Sequence, residues 1–179
     1  ILILFINYLE LNSNKYENME NIDTPKVIVQ TIGDKSVIPD KVYENIGKYA
    51  PEYKHIIYDD DECIAFINKY NKVLHKSANL SKIFKELRGP HKADLFRYCY
   101  LYVNGGVYLD IKIELIKPLR KIYANPKLLY TNICENKNSG EECIFQAAIS
   151  TPKSQPIFLE LIDFIVKNKE KSNIDKTGK

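Results

Sequence analysis

The sequence has no tryptophan and few of the residues that mark specialised folds. Only 7 glycines and 8 prolines occur among 179 residues, which argues against a loop-dominated chain. Its 4 cysteines form no CxxC pair and have no histidine at ligand spacing, so neither a zinc site nor a disulfide framework is indicated. Neither sign of charge predominates, because 26 Lys+Arg and 23 Asp+Glu give a net charge of only +3. With no nucleic-acid-binding signature besides, we expect no nucleic-acid partner.

Long hydrophobic runs are also missing. Residues 1–11 (ILILFINYLEL) are apolar, but they fall well short of the ~20 residues that cross a bilayer. We interpret residues 1–22 as an N-terminal extension. It is either the stub of a signal or anchor segment, which would associate the chain with a membrane, or sequence upstream of a start at Met19. Residues 23–179 are then expected to form one domain, large enough for a core of its own.

From Pro25 onward, short β-branched runs alternate with helical spacing of apolar residues. Lys26–Ile32 and Tyr53–Tyr58 are predicted strands, and the acidic run Asp59–Glu62 is typical of a helix start rather than a metal cage. This order predicts an α/β domain with a mostly parallel sheet, in which ligands bind beyond the carboxyl ends of the strands. Further along, the pattern predicts a helix at about residues 92–103, strands at Val107–Leu109, Ile111–Ile116 and Leu128–Thr131, and an amphipathic helix at Pro156–Asn168.

The helix after Gly89-Pro90 is apolar on nearly every side, yet it carries Asp94 and Arg97. Such a helix is expected to be buried, and residues three apart lie on one face. Burying a charge is costly unless the charge is paired. Two interpretations are open: an internal ion pair that fixes the helix, or a polar cleft in which Arg97 meets phosphate and Asp94 meets sugar hydroxyls. The tyrosines of this region, Tyr108 among them, are interpreted as packing residues.

A second group of polar residues follows the predicted strand Val107–Leu109. Gly105 and Gly106 end the helix before it and permit a turn with close backbone approach. On an extended chain, Asp110, Lys112 and Glu114 would share one side. Three charges there suit a polyanionic ligand or a metal, although a solvated edge has the same pattern.

These residues resemble a known family. Lys92–Tyr98 (KADLFRY) and Gly105–Asp110 (GGVYLD) match almost letter for letter the central signature of the glycosyltransferases whose sugar-binding region contains a DXD motif. That group includes fungal α-1,6-mannosyltransferases and sphingolipid mannosyltransferases. Pro25–Thr31 is similar to the family's first strand and Lys117–Leu119 to the segment after the DXD motif. The resemblance covers about residues 25–151.

The resemblance implies a GT-A fold, with a mostly parallel central sheet flanked by helices, and transfer of a hexose with retention of configuration. The donor would be a UDP- or GDP-sugar, the acceptor a glycan, lipid or protein hydroxyl, and the cofactor Mn²⁺ or Mg²⁺. Relatives often lie in membranes of the secretory pathway. Asp94, Arg97 and Asp110 are the expected catalytic residues. The residues expected to bind the donor are Gln30, Thr31, Asp94, Arg97, Gly105, Gly106, Asp110 and Lys112.

The chain departs from the family pattern at the second aspartate of the DXD motif, which is Lys112. An ammonium group repels a cation, so three interpretations are open. Lys112 faces the diphosphate and supplies part of the metal's charge, or Glu114 joins Asp110 as the metal ligand, or the chain is a catalytically impaired remnant that still binds sugar nucleotide. Relatives run longer at the C-terminal end, so two interpretations are open: the chain is a fragment truncated there, or the domain binds a donor without a complete acceptor site. An α/β interaction module with a structural Asp94–Arg97 pair is a further alternative.

Overall fold

The computed structural model describes residues 23–127, 129–135 and 142–177. The N-terminal extension predicted for residues 1–22 lies outside the described residues, as does Leu128, the first residue of a predicted strand. Within the described residues, no helix combines the length and the apolar character that crossing a bilayer requires.

A five-stranded sheet forms the centre of the molecule, with the order β2-β1-β3-β5-β4. β1 is flanked by β2 and β3 in parallel, β5 runs antiparallel between β3 and β4, and four of the five strands therefore point the same way. The predicted α/β class with a mostly parallel sheet is confirmed. The strands are β1 (Val27–Thr31), β2 (Lys54–Tyr58), β3 (Gly106–Leu109), β4 (Tyr130–Glu135) and β5 (Glu142–Thr151).

Helices cover both faces of this sheet, and their ends follow from local chemistry. Asp59 caps the second helix through a capping box with Glu62, as the acidic run predicted. Pro90 lies in the first turn of the fourth helix, where its missing N–H has no cost. The helices are α1 (Asp40–Tyr49), α2 (Asp60–Leu74), α3 (Leu80–Glu86), α4 (Gly89–Asn104), α5 (Leu119–Ile122) and α6 (Ile157–Thr177), with a 3₁₀ turn at Lys35–Val37.

The alternation of side chains along the strands produces two apolar cores. Val29 and Tyr108 face α2, α3, α4 and α6, whereas Ile28, Val107 and Leu109 face α1 and α5. Helix α4 is buried along its middle, from Leu95 to Leu101, as expected of a helix that is apolar on nearly every side. The helix that carries the family signature is thus held rigidly against the sheet.

The prediction of an extended segment at Ile111–Ile116 is wrong. The chain turns directly after β3, because the Ile113 N–H donates to the Asp110 carbonyl over 2.9 Å. The segment is then fastened to α1 by Asn45, whose side chain bonds both the N–H of Leu115 (2.9 Å) and its carbonyl (3.0 Å). Asp110 and Glu114 therefore do not share one side of a strand.

Candidate functional site

A cleft of about 740 Å³ opens where the carboxyl ends of β1, β2 and β3 meet the start of α4. This is the edge at which parallel α/β sheets bind ligands. The charged residues of its wall come from separate parts of the chain and number three of each sign. They are Asp60, Asp94 and Asp110 together with Lys92, Arg97 and Lys112.

Arg97 is the central residue of this wall. Its side chain is only 5% exposed, and its Nη2 lies 3.1 Å from Asp94 Oδ1 and 3.2 Å from Asp110 Oδ1. Its Nη1 donates to the carbonyl of Gln146 over 2.6 Å, and its guanidinium lies over the Tyr108 ring. The two interpretations of Asp94 and Arg97 therefore do not exclude each other. The pair is an internal ion pair and it also lines the cleft, joined there by the carboxylate of Asp110.

Asp110 is oriented by a second hydrogen bond on the same oxygen. The Tyr108 hydroxyl donates to Asp110 Oδ1 over 2.9 Å, and Thr31 Oγ1 lies 3.0 Å from that hydroxyl. Burial raises the pKa of Tyr108, so its hydroxyl keeps its proton and remains a donor. The sequence pattern indicated Tyr108 only as a packing residue. Residues two apart on a strand lie on one face, and this spacing was the available signal for its bond to Asp110.

Gln30 lies beneath the cleft rather than in its wall. It is fully buried, donates through Nε2 to the Asp110 carbonyl over 3.3 Å, and receives through Oε1 a bond of 2.7 Å from His55 Nε2. Burial lowers the pKa of His55. Gln30 therefore supports the backbone of Asp110 from behind, whereas its neighbour Thr31 does line the cleft.

Two charged wall residues were missed by sequence analysis. Lys92 Nζ donates to Asp60 Oδ2 over 2.5 Å, which ties the first turn of α4 to the first turn of α2. Asp60 was seen only as part of a helix start, but it also follows β2 at the cleft edge. Asp60 comes soon after the predicted strand β2, which runs parallel to β1, and this position at the carboxyl end of a strand was the signal that could have indicated a cleft residue.

Gly105 and Gly106 lie at the amino end of β3, opposite to the cleft. Both have positive φ (66° and 104°), and a Cβ on Gly105 would come within 2.6 Å of the Lys153 nitrogen. A Cβ on Gly106 would meet the Val27 carbonyl at 2.9 Å. The structure does not bring these glycines to the other predicted donor-binding residues, and the tight passage from α4 into β3 accounts for them.

The described residues do not form a metal site at the DXD position. No group of three or more His, Cys, Asp or Glu side chains suited to a metal occurs among them. Asp110 is already bonded to Arg97 and Tyr108. Glu114 lies outside the cleft wall and pairs with Lys41 at 3.0 Å, while Lys112 is part of the wall. The guanidinium of Arg97 lies against the Asp110 carboxylate and the ammonium group of Lys112 lies in the same wall, so both would repel Mn²⁺ or Mg²⁺ at this position.

Comparison with known proteins agrees with the signature residues. The model of a family described as a glycosyltransferase sugar-binding region containing a DXD motif matches residues 39–129. The chain is 33% identical over 88 residues to an initiation-specific alpha-1,6-mannosyltransferase of Candida albicans, a match that covers 49% of this chain and 21% of that protein. It is 33% identical over 91 residues to the protein of that name from Saccharomyces cerevisiae, with 50% and 18% covered. The matches thus span about a fifth of the length of these relatives.

A solved structure, that of PaToxG glycosyltransferase, has the same fold. It superposes with a TM-score of 0.56 over 96% of this chain and 69% of its own, at 16% sequence identity. At that identity the likeness concerns the fold alone, and it extends over nearly the whole chain.

Proposed function

Because the chain belongs to the glycosyltransferases whose sugar-binding region contains a DXD motif, we propose that it transfers a hexose from a UDP- or GDP-sugar to a hydroxyl of a glycan, lipid or protein. The transfer proceeds with retention of anomeric configuration. In the reaction, the bond from the anomeric carbon to the diphosphate oxygen breaks, and a bond to the acceptor oxygen forms. The acceptor hydroxyl loses its proton and the nucleoside diphosphate leaves.

The observation that carries this proposal is the placement of Arg97 between Asp94 and Asp110 in the cleft wall. Paired carboxylates suit the hydroxyls of a sugar, because each oxygen accepts a hydrogen bond. A guanidinium that is itself almost fully buried offsets part of their negative charge, which lessens the repulsion between these carboxylates and the diphosphate of the donor. The three residues that form this arrangement all belong to the family signature.

The wall also suits the leaving group. A nucleoside diphosphate gains negative charge as its bond to the sugar breaks, and fixed positive groups stabilise that charge best when they are positioned in advance. Lys92 is held in place by Asp60, and Lys112 lies on the same wall. The first turn of α4 faces the cleft as well, and the amino end of a helix carries partial positive charge.

Lys112 supports a second candidate function, a domain that binds sugar nucleotide without transferring the sugar. The family has a carboxylate at this position, and no group of three or more His, Cys, Asp or Glu side chains suited to a metal occurs among the described residues. Donor binding needs only the cleft, whereas transfer also needs stabilisation of the leaving diphosphate. Both candidate functions therefore predict binding of a sugar nucleotide, but only the first predicts transfer of the sugar.

The test is a panel of UDP- and GDP-sugars, including GDP-mannose, screened by thermal unfolding and by release of nucleoside diphosphate. A bound donor at about 100 times its Kd should raise the free energy of unfolding by about 2.7 kcal/mol. Release of UDP or GDP supports transfer, whereas binding without release supports the second candidate. If no donor shifts the unfolding temperature, the proposal is wrong and an interaction module is favoured.

Arg97→Lys sharpens the test. Lysine keeps the charge but cannot reach Asp94, Asp110 and Gln146 together. Donor affinity should fall about tenfold, because a hydrogen bond to a charged group contributes about 1.5 kcal/mol or more. Arg120→Lys is the matched control, since Arg120 is exposed and pairs with Glu52 outside the cleft. Equal affinities for both variants would contradict the assigned role of Arg97.

A further inference from the structure

We propose that Lys112 takes the place of the divalent cation, so that the cleft binds the diphosphate of its donor without a metal. The inference rests on the proposed function, since it concerns the same donor. It goes further by naming the group that balances the diphosphate charge and by assigning Lys112 a direct contact with the phosphate oxygens.

The first support is the state of Asp110. Its Oδ1 is engaged by Arg97 Nη2 at 3.2 Å and by the Tyr108 hydroxyl at 2.9 Å, and its N–H and carbonyl are bonded to Ala147 and Ile113. A positive charge therefore already lies against this carboxylate. A divalent cation placed there would be repelled by the guanidinium of Arg97, and the ammonium group of Lys112 in the same wall would repel it as well.

The second support is the position of Glu114, the acidic residue that sequence spacing offered as a replacement ligand. The turn after Asp110 sends the chain away from the cleft, and Asn45 holds both main-chain groups of the following residue, Leu115. The Glu114 carboxylate pairs with Lys41 on α1. Bringing it into the cleft would break the Asn45 bonds, so its absence from the wall follows from the backbone.

The third support is the state of Lys112 itself. Of the three cations in the cleft wall, Lys92 is paired with Asp60, and Arg97 with Asp94 and Asp110. Lys112 is exposed and has no carboxylate within ion-pair distance in the part of the chain that the structure describes. It is therefore the wall cation whose charge is not already balanced. A diphosphate is the complementary partner, because its oxygens accept from a flexible ammonium group with little geometric demand.

Together these observations place one exposed positive charge, with no carboxylate partner among the described residues, at the DXD position. The wall without ligand is neutral, with three acidic and three basic side chains. Lys92 and Arg97 are already paired with carboxylates, so Lys112 is the wall cation that is available to contact a diphosphate that enters the cleft. The helix end at Gly89 and Pro90 borders the same space.

The experiment measures the Kd of UDP and of GDP by calorimetry, with EDTA and with Mn²⁺, so that the readout is binding rather than activity. For the unaltered chain, we expect the Kd of the preferred nucleotide to change less than about twofold between the two conditions. Lys112→Asp should bind about tenfold more weakly in EDTA, because the variant turns an attraction into a repulsion. Mn²⁺ should restore much of that loss, since the variant has a second carboxylate two residues after Asp110.

Two control variants accompany it. Lys117→Asp makes the same change in net charge at an exposed residue outside the cleft wall, and its affinity should equal that of the unaltered chain. Glu114→Gln removes the rival ligand and should leave the response to Mn²⁺ unchanged. A thermal unfolding curve for each variant confirms that it is folded before affinities are compared.

The outcomes separate this inference from the proposed function. Binding of UDP or GDP that requires Mn²⁺ in the unaltered chain overturns the role of Lys112 and leaves the proposed function standing. Equal losses in Lys112→Asp and Lys117→Asp overturn it as well, because the effect would then be one of net charge. Absence of nucleotide binding under every condition overturns both.

Discussion

Arg97 shows how one side chain can have both a structural and a functional role. A buried guanidinium is costly unless its donors are satisfied, and here they reach two carboxylates and the carbonyls of Ala93 and Gln146. The same bonds orient Asp94 and Asp110 in the cleft wall. Spacing along α4 predicted the Asp94 pairing, but the bond to Asp110 depends on how β3 lies against α4.

His55, which bonds Gln30 beneath the cleft, makes the free energy of unfolding depend on pH. Burial lowers the pKa of His55 below its ordinary value of 6.5, so the unfolded chain binds a proton more readily than the folded one. The unfolded state then holds more protons in the window just below pH 6.5, and stability falls as the pH falls through it. The neutral imidazole donates to Gln30, whose amide supports the Asp110 carbonyl.

We predict that the unaltered chain loses more stability between about pH 7.5 and about pH 5.5 than the variant His55→Gln does. Glutamine retains a donor for Gln30 but does not titrate. Denaturant unfolding at both pH values measures the difference. His91→Gln is the control, because His91 is exposed on α4, and this variant should lose as much stability as the unaltered chain does. A pH response identical in His55→Gln and the unaltered chain would contradict the prediction.

At the scale of elements, the passage from α4 into β3 sets the geometry of the site. The helix carries Arg97, and Asp110 follows directly after the strand. Gly105 and Gly106, both with positive φ, join the two elements with a single residue between them. Gly105 lies against the main chain of Lys153, so the loop that follows β5 is packed against this junction.

Gly105→Ala should therefore destabilise the fold by at least about 2 kcal/mol, since it combines a positive φ with a contact that a Cβ cannot make. Gly47→Ala is the matched control within α1. Nothing lies within 4 Å of its added Cβ, and alanine in a helix interior gains about 0.5–1 kcal/mol over glycine. Thermal unfolding measures both, and opposite signs are expected. A stabilised Gly105→Ala would contradict the described junction.

The elements also show what the sequence could predict. Periodicity and β-branched runs located β1, β2, α4 and the acidic start of α2, because these signals are local. The turn after Asp110 was not predictable in this way. The residues that follow it alternate like a strand, but the bonds from Asn45 on α1 override that pattern. The antiparallel β5 was missed for a related reason, since its direction is decided by pairing with β3 and β4.

The same division applies to the site. Asp94, Arg97 and Asp110 were predicted together through the resemblance to a family, and in the structure Arg97 Nη2 lies 3.1 Å from Asp94 Oδ1 and 3.2 Å from Asp110 Oδ1. Glu114 was grouped with Asp110 on the assumption of an extended chain, and that assumption is wrong. Asp60 and Lys92 were missed because their pairing joins residues far apart in sequence. Rules based on residue spacing apply within one helix or strand, whereas the cleft wall is formed by side chains from several elements.

On the scale of the whole molecule, the C-terminal helix α6 is part of the core that holds the site. Phe158, Ile162 and Val166 are buried in the cluster that includes α4. Helix α4 thus shares one apolar core with the sheet and α6. The position of Arg97 therefore depends on a helix that lies outside the family signature.

Ile162→Ala tests this dependence. Ile162 is fully buried, so the loss of its side chain should cost about 3 kcal/mol and lower the unfolding temperature by about 6–12 °C. Phe164→Ala, on the same helix but 46% exposed, should change stability by less than about 0.5 kcal/mol. Chemical denaturation with both variants provides the free energies. Equal, small effects would mean that α6 does not pack on α4 in solution, and Arg97 would then be supported by the sheet and by α2 and α3.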